Sequence, residues 1–294
     1  MFEIRTDIPY QHIAFDHGIV VSVKRIDLVH PHIAGNKFYK LKYNLQAARE
    51  QGKTLLISFG GAYSNHIHAL AHAAHEYGFQ ALGIIRGQEL AEQPLNPTLQ
   101  DAADLGMQLQ FISRADYRQK HTPAFLQAAL NQYPHAYVMP EGGSNALAIQ
   151  GCEEILSAAD KHNFDVICCA VGTGGTLAGL INASATQQRL IGYAALKTDH
   201  LSAEIMQMTH KRQWQVFSEE VFGGYGRFNA ELLDFIASTQ AHAGLPLDPV
   251  YTGKAFYRLS QHIAEGLFAP NSRILFIHTG GLQGHRPVNL DHAS

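Results

Sequence analysis

The sequence predicts an α/β protein built on parallel β-sheet with helices on both faces. Apolar runs rich in β-branched residues alternate with amphipathic segments along almost the whole chain. This alternation is typical of strand–helix–strand crossover units. Glycine-rich turns also follow four strand candidates directly, at residues 60–61, 142–143, 172–175 and 280–281. Because ligands bind beyond the carboxyl ends of parallel strands, we expect these turns to surround one cleft.

The individual elements follow from the spacing of apolar residues. Strands are predicted at residues 19–23, 55–59, 81–85, 108–112, 136–139, 166–171, 190–194 and 274–277. Helices are predicted at residues 38–51, 64–77, 123–132, 145–159, 175–185 and 253–265. No Pro-, Gly- or Ser-rich linker separates them, so a second domain would share the architecture of the first.

Composition narrows the class of protein. The 294 residues are 46% hydrophobic and carry a net charge of −3, without a basic run or an acidic tail. We therefore expect no nucleic-acid partner. No stretch of about 18 apolar residues is present, and residues 1–10 lack the layout of a signal peptide, so no membrane association is expected. Three cysteines without a C-x-x-C pair favour a cytoplasmic protein.

Lys37 is the first candidate for chemistry. It follows the turn Gly35-Asn36 and precedes a predicted helix. A lysine held in a cavity loses hydration, which lowers its pKa toward that of a usable nucleophile. A second turn downstream carries Ser64 and Asn65 into the next helix and can surround a bound group with N–H donors. The two turns together suggest a site that holds an aldehyde cofactor on a lysine.

A glycine-rich turn after the strand at 166–171 is a candidate phosphate site. Its backbone N–H groups, two threonine hydroxyls and a following helix N-terminus suit an anion. The residues are Gly172, Thr173, Gly174, Gly175 and Thr176. A nucleotide P-loop would end in Gly-Lys-Ser/Thr, and a dinucleotide fingerprint would place glycine where Leu177 stands. A cup for one phosphate fits without exception, although a tight turn that holds nothing is the alternative.

A lysine able to form an imine, an asparagine-bearing turn and a phosphate cup match pyridoxal 5'-phosphate. The chain resembles the 1-aminocyclopropane-1-carboxylate deaminase / D-cysteine desulfhydrase family over nearly its whole length. The motifs that carry this resemblance are 35–41 (GNKFYKL), 60–66 (GGAYSNH), 140–145 (PEGGSN), 224–226 (GYG), 248–254 (DPVYTGK) and 278–281 (HTGG). Each motif alone is weak, but their order and spacing are specific.

The resemblance implies an architecture. It predicts the tryptophan-synthase-β-like fold, which is fold type II of pyridoxal-phosphate enzymes. Two three-layer α/β/α domains would then hold the cofactor in the cleft between them. Residues 1–48 and 150–294 would form the large cofactor-binding domain, and residues 49–149 the small domain. A homodimer and a small amino-acid substrate are implied in the same way.

The resemblance also implies roles for single residues. Lys37 would hold the cofactor and later move the Cα proton of the substrate. Lys40, one helical turn on, would face the phosphate, unless it is an ordinary surface lysine. Asn65 would bind the hydroxyl of the cofactor ring and, with Ser64 and His66, the substrate. Ser64 would receive the substrate carboxylate, although it can equally cap the helix that follows.

Two tyrosines complete the implied catalytic set. Tyr225 and Tyr251 resemble the pair of active-site tyrosines of the family, and each phenol could assist the leaving group or the proton transfer. Both are therefore candidates for catalysis and for substrate binding. Most tyrosines in a chain serve packing, so the surrounding motifs carry this assignment.

One departure from the family pattern bears on the reaction. Thr252 follows Tyr251, where deaminases that resemble this chain carry a glutamate that binds the pyridine nitrogen. Here the partner would be neutral, either Thr252 or Thr279, with Gly280 completing the cofactor site. A hydroxyl stabilises a protonated pyridine less than a carboxylate does. This favours α,β-elimination from D-cysteine, giving pyruvate, ammonia and sulfide, over the alternative, deamination of 1-aminocyclopropane-1-carboxylate.

The sequence leaves two further alternatives. His68, His72 and His75 share one face of a predicted helix, and paired histidines can ligate zinc. No cysteine or carboxylate motif completes that set, so we expect no metal site. From a different class, a non-catalytic protein that binds pyridoxal phosphate or an amino acid would keep the same fold. The retained lysine, tyrosines and phosphate cup disfavour it.

Overall fold

The computed structural model describes residues 7–195, 200–218, 222–224 and 226–284. These residues form two β-sheets surrounded by helices. The strands are β1 (Tyr10–Ala14), β2 (Val20–Lys24), β3 (Leu55–Gly60), β4 (Gln80–Arg86), β5 (Gln108–Ile112), β6 (Ala136–Val138), β7 (Val166–Val171), β8 (Arg189–Ala194), β9 (Trp214–Phe217) and β10 (Arg273–Ile277).

The helices connect these strands and cover both faces of the sheets. They are α1 (Asn36–Glu50), α2 (Asn65–Tyr77), α3 (Pro97–Asp104), α4 (Arg114–Arg118), α5 (Pro123–Gln132), α6 (Ala146–Glu153), α7 (Ala158–Asn163), α8 (Gly175–Ala183), α9 (Leu201–Met208), α10 (Ala230–Ala243) and α11 (Thr252–Ala264). Among the described residues, no helix is long and apolar enough to cross a membrane.

The larger sheet has six strands in the order β1-β2-β10-β7-β8-β9. Only β1 runs antiparallel to its neighbour; the other described pairs are parallel. Side chains of β10 alternate between two core clusters, with Ile274 and Phe276 on one face and Leu275 and Ile277 on the other. A strand that is apolar on both faces must be covered on both, which is why helices flank this sheet.

The smaller sheet has four parallel strands in the order β5-β4-β3-β6. Leu56 of β3 belongs to the large core cluster that also contains Ile277 of the other sheet. The next residue, Ile57, packs with Phe59 and Ile84 in a separate cluster on the opposite face. The apolar packing is therefore continuous between the two sheets.

The predicted α/β architecture is confirmed, and all eight predicted strands are present, within one or two residues at their ends. The strands of the two sheets fall inside the two proposed domain ranges, which remain a proposal. Two strands were not predicted: β1, which is an edge strand, and β9, which has four residues. Helices α3, α4, α9 and α10 were not predicted either.

One predicted helix was wrong. The segment 145–159 is not one helix: α6 ends at Glu153, and α7 begins at Ala158 and continues to Asn163. Ser157 caps α7 by accepting from the Asp160 N–H, and the Asp160 carboxylate accepts from the Ser157 N–H in return. This reciprocal capping box starts a new helix at the serine. Apolar spacing alone does not reveal such an interruption.

Candidate active site

A cavity of about 1570 Å³ lies where the ends of both sheets meet, and most of the predicted site residues line it. They come from α1, from the turns after β3 and β7, from the segment before α11 and from the turn after β10. Those that line it are Lys37, Lys40, Ser64, Asn65, His66, Gly172, Thr173, Gly174, Thr176, Tyr251, Thr279 and Gly280. The predicted convergence of the glycine turns on one cleft is thus what the fold shows.

The turn before Lys37 depends on a close backbone approach. A Cβ atom on Gly35 would stand 2.1 Å from the Thr279 carbonyl oxygen, and Gly35 has a φ of +64°. Only glycine tolerates both conditions without strain. The Asn36 N–H donates to the same carbonyl at 3.2 Å, which joins the start of α1 to the segment after β10. Two distant parts of the sequence are thereby placed on one wall of the cavity.

The Lys37 amine is held in a short polar chain. Its Nζ donates to Asn36 Oδ1 at 2.9 Å, and Asn36 Nδ2 donates in turn to Thr176 Oγ1 at 2.8 Å. Burial, together with the positive charge of Lys40, lowers the pKa of Lys37 to about 7. At neutral pH a large fraction of this amine is therefore uncharged and nucleophilic.

Lys40 faces the same cavity and is 3% exposed, so it is not a surface lysine. Its Nζ donates to the Gly142 carbonyl at 3.0 Å and to Ser144 Oγ at 2.9 Å. Burial lowers its pKa from the ordinary value. Ser144 Oγ lies 2.5 Å from Thr173 Oγ1, which links Lys40 to the turn after β7.

That turn has the geometry of an anion cup. Gly174 has a φ of +80°, and α8 begins at the next residue; the N–H groups of the helix start, which have no acceptor within the helix, therefore belong to a segment whose Gly174 and Thr176 line the cavity. A Cβ atom on Gly175 would stand 2.8 Å from Ser144 Oγ and 3.4 Å from Lys40 Nζ. Gly175 is not itself a lining residue, but its lack of a side chain allows those donors to approach.

These groups fit pyridoxal phosphate. Lys40 and the hydroxyls of Ser144, Thr173 and Thr176, which we name the phosphate side, concentrate donors and positive charge on one small volume. A phosphate needs such donors. The uncharged fraction of the Lys37 amine can attack an aldehyde in the same cavity. Lys37, Lys40 and the cup are therefore the residues that would hold this cofactor.

A second part of the cavity wall comes from residues 60–66, which we name the substrate turn. Ser64 is the N-cap of α2, and its Oγ accepts from the Ile67 N–H at 3.3 Å. Asn65 Oδ1 accepts from Gln283 Nε2 at 2.5 Å, so Asn65 is tied to the segment after β10. Ser64 can cap α2 and bind a ligand at the same time, because its oxygen accepts in the cap and its O–H proton can still be donated.

His66 is a buried neutral imidazole in the cavity wall. Ser58 Oγ donates to the Met139 carbonyl at 3.0 Å, so it accepts from His66 Nε2 at 2.8 Å. His66 Nδ1 is then a bare acceptor, buried and without a hydrogen-bond partner among the described residues. Burial, followed by the charges of Lys37 and Lys40, holds the pKa of His66 well below its usual value.

The two candidate partners of the pyridine nitrogen are placed differently. Thr252 is fully buried, and its hydroxyl donates to Asp248 Oδ1 at 2.6 Å. It is not a lining residue. Thr279 does line the cavity, and its hydroxyl makes no hydrogen bond within the described part of the chain. Asp248 accepts from its own neighbours, including the N–H groups of Val250 and Tyr251.

Of the two predicted tyrosines, only Tyr251 can be located, because Tyr225 lies outside the described residues. Tyr251 lines the cavity, and its ring carbon Cε1 is 3.2 Å from the position that a Cβ atom on Gly172 would take. This contact places the phenol against the turn after β7.

Asn36 and Ser144 were not predicted as site residues, although both belong to motifs that were recognised. Asn36 connects Lys37 to Thr176, and Ser144 connects Lys40 to Thr173. Asn36 precedes the predicted Lys37, and Ser144 follows the pair Gly142-Gly143. A short polar residue in such a position was the available signal.

The histidine face of α2 packs against other histidines. The rings of His72 and His32 stack at 4.8 Å, and His68 Nε2 lies 3.6 Å from Asp101 Oδ2. Burial and the neighbouring histidines lower the pKa of His72 to about 4. Within the ranges that the structure describes, no group of three or more His, Cys, Asp or Glu side chains could hold a metal ion.

Sequence comparison identifies relatives across the whole fold. The pattern of the family described as "Pyridoxal-phosphate dependent enzyme" matches residues 3–280. A Pyrococcus horikoshii protein, provisionally named a 1-aminocyclopropane-1-carboxylate deaminase, is 31% identical over 297 residues, covering 95% of this chain and 90% of the relative. A mitochondrial protein of Arabidopsis thaliana named bifunctional D-cysteine desulfhydrase/1-aminocyclopropane-1-carboxylate deaminase is 30% identical over 91% of this chain and 74% of its own length.

Structure comparison agrees. A crystal structure of an ACC deaminase homologue superposes with a TM-score of 0.83 and 28% identity, covering 96% of this chain and 91% of that one. The O-acetylserine dependent cystathionine beta-synthase of Helicobacter pylori superposes with a TM-score of 0.69 and 15% identity, covering 96% of both chains. The second match supports the fold alone. Together they confirm the predicted fold type II.

Proposed function

The chain belongs to the pyridoxal-phosphate dependent enzymes, and we propose that it catalyses α,β-elimination from a small D-amino acid such as D-cysteine. The products would be pyruvate, ammonia and sulfide. The bifunctional plant relative carries both candidate activities in its name, so relatedness alone does not choose between elimination and cyclopropane deamination.

The observation that carries the choice is the neutral partner offered to the pyridine nitrogen. Thr279 presents an uncommitted hydroxyl to the cavity, whereas the nearby carboxylate of Asp248 is occupied by backbone donors and by Thr252. A pyridine ring that is hydrogen-bonded to a neutral partner is a weaker electron sink than a pyridinium ring paired with a carboxylate. Elimination depends less on the ring as an electron sink, because its leaving group departs with the electron pair.

Proton transfer, substrate binding and assistance to the leaving group would be carried out by different residues. Bound pyridoxal phosphate supplies an electron sink for negative charge at Cα. Lys37, with its pKa of about 7, is suited to take the Cα proton at neutral pH. Ser64 and the N–H groups at the start of α2 would bind the substrate carboxylate. Tyr251, and Tyr225 by resemblance, would assist the departing group.

Two sets of residues would bind the cofactor, one at its phosphate and one at its ring. Lys40, Gly172, Thr173, Gly174, Gly175 and Thr176 would hold the phosphate, and Asn65, Thr279 and Gly280 would contact the ring. Ser144 Oγ is hydrogen-bonded both to Lys40 Nζ and to Thr173 Oγ1, and so connects two of these residues. We further propose that the enzyme is cytoplasmic and forms a homodimer. Size-exclusion chromatography with light scattering would test the dimer.

Turnover of a defined panel tests the reaction. Purified holoenzyme would be given D-cysteine, L-cysteine and 1-aminocyclopropane-1-carboxylate, and sulfide, keto acid and ammonia would be measured separately. We expect sulfide and pyruvate in equal amounts from D-cysteine, with slower release of keto acid from the cyclopropane. A faster cyclopropane reaction would reverse the choice. Full cofactor occupancy without turnover of any panel member would identify a binding protein.

A further inference from the structure

Arg86 lies beside the substrate turn and lines the cavity. It is the last residue of β4, and Ile85 before it pairs with Gly60, the last residue of β3. The Arg86 guanidinium Nη2 stands 3.9 Å from the position that a Cβ atom on Gly61 would take. The parallel register of these two strands therefore brings a guanidinium to the first residues of the substrate turn.

Among the described residues, the charge of Arg86 has no counter-ion. Its guanidinium lies over the ring of Tyr117, 5.9 Å from the ring centroid. The nearby carboxylate of Glu141 accepts from the Tyr117 hydroxyl at 2.7 Å and pairs with Lys120 at 3.2 Å. Among the residues that the structure describes, neither a hydrogen bond nor an ion pair involves the Arg86 side chain. Its donors are free for a ligand.

The other described lysines and arginines that line the cavity are already committed. Arg25 forms two hydrogen bonds to Asp27, at 2.9 and 2.7 Å. Lys40 is bonded to Ser144 and Gly142, and Lys37 is the nucleophile. Among the described residues, a carboxylate that enters the cavity thus meets one guanidinium without a hydrogen-bond or ion-pair partner, in the cavity that Ser64 and the start of α2 also line.

We propose that Arg86 binds the α-carboxylate of the substrate and selects amino acids over simple amines. The planar fork of arginine matches a carboxylate, and charge-assisted hydrogen bonds are stronger than neutral ones. The cation–π contact with Tyr117 restricts the guanidinium beside the turn, so less side-chain freedom is lost on binding. This inference depends on the proposed function only in taking the substrate to be an amino acid.

Ligand binding without turnover tests this role. Holoenzyme would be titrated with D-alanine, L-alanine and ethylamine, the last being alanine without its carboxylate, and binding followed by the absorbance of the cofactor. In Arg86→Gln we expect the dissociation constant of the preferred alanine to rise about tenfold. That of ethylamine should not change. Arg86→Lys, which keeps the charge but loses the fork, should show a smaller rise.

Arg114→Gln is the matched control. Arg114 belongs to the same small sheet region and is exposed like Arg86, but it pairs with Glu89 at 2.8 Å and does not line the cavity. It should bind both ligands like the unmodified enzyme. Unchanged alanine binding in Arg86→Gln would overturn the proposal, as would equal weakening of alanine and ethylamine. Arg86-dependent alanine binding in an enzyme that releases no sulfide from D-cysteine would refute the elimination reaction alone.

Discussion

The two walls of the cavity are built in opposite ways. On the phosphate side, Ser144 Oγ is hydrogen-bonded both to Lys40 Nζ and to Thr173 Oγ1, so the protein itself holds these donors together. The substrate turn is more open: Tyr63 within it is 72% exposed, and Arg86 beside it has no hydrogen-bond or ion-pair partner among the described residues. A preorganised wall suits a cofactor that stays bound, whereas an open wall suits a substrate that must enter and leave.

The largest expected effect comes from Lys37, which would both hold the cofactor and take the Cα proton of the substrate. Lys37→Ala removes the nucleophile and the proposed base, so turnover should fall by at least about 10³-fold. Borohydride treatment followed by peptide mapping should label Lys37 in the unmodified enzyme and no residue in the variant. Labelling at Lys40 instead would show that the nucleophile has been misassigned.

The origin of these two walls explains what the sequence could predict. Lys37, Lys40 and the residues of the phosphate cup stand in short motifs whose chemistry is local: a lysine on a glycine turn, and a strand that enters a glycine-rich helix start. Such motifs are recognisable without tertiary structure. The eight predicted strands are similarly local, since continuous apolar runs suffice to identify them.

What the sequence could not reveal depends on register and on through-space partners. Arg86 ends a strand like many surface arginines, and only the pairing of β3 with β4 places it beside Gly61. The choice between Thr252 and Thr279 likewise depends on Asp248, which accepts from the Thr252 hydroxyl. The start of α7 at Ala158, after the end of α6 at Glu153, depends on a side-chain cap.

Lys40 tests the preorganisation of the phosphate side. Lys40→Met removes a buried, charged donor, and we expect cofactor affinity to fall by about 1.5–3 kcal/mol, or roughly 10- to 150-fold. Equilibrium dialysis of the apoprotein with pyridoxal phosphate would measure it. Lys42→Met is the control, because Lys42 lies on the same helix but pairs with Glu154 and does not line the cavity. Equal losses in both variants would point to damage of α1 instead.

Lys40→Met should also change how the rate of cofactor binding depends on pH. Only the uncharged Lys37 amine attacks the aldehyde, so the rate of cofactor binding should rise with pH and level off above the pKa, about 7. The charge of Lys40 contributes to lowering that pKa. Its removal should therefore move the midpoint to higher pH, though burial keeps it below the ordinary lysine value. A midpoint that stays in place would show that burial alone sets the pKa.

Ser64 separates structure from recognition on the substrate turn. Ser64→Ala should cost about 1 kcal/mol of unfolding free energy, as the loss of a helix cap does. It should also raise KM for the amino acid roughly 2- to 12-fold, through loss of one hydrogen bond to the carboxylate. Ser113→Ala removes the equivalent cap of α4, away from the cavity. That control should lose stability and keep its KM.

The smallest expected effect distinguishes the two threonines. Thr279→Val should shift the absorbance of the bound cofactor and lower turnover a few-fold, because a single neutral hydrogen bond is worth about 0.5–1.5 kcal/mol. Thr252→Val should leave the spectrum unchanged, since its hydroxyl serves Asp248. It should instead cost about 1–3 kcal/mol of unfolding free energy by leaving buried polar groups unpaired. A spectral shift in Thr252→Val alone would instead identify Thr252, at the start of α11, as the partner of the pyridine nitrogen. The position of the cofactor ring would then depend on the hydrogen bonds of Asp248.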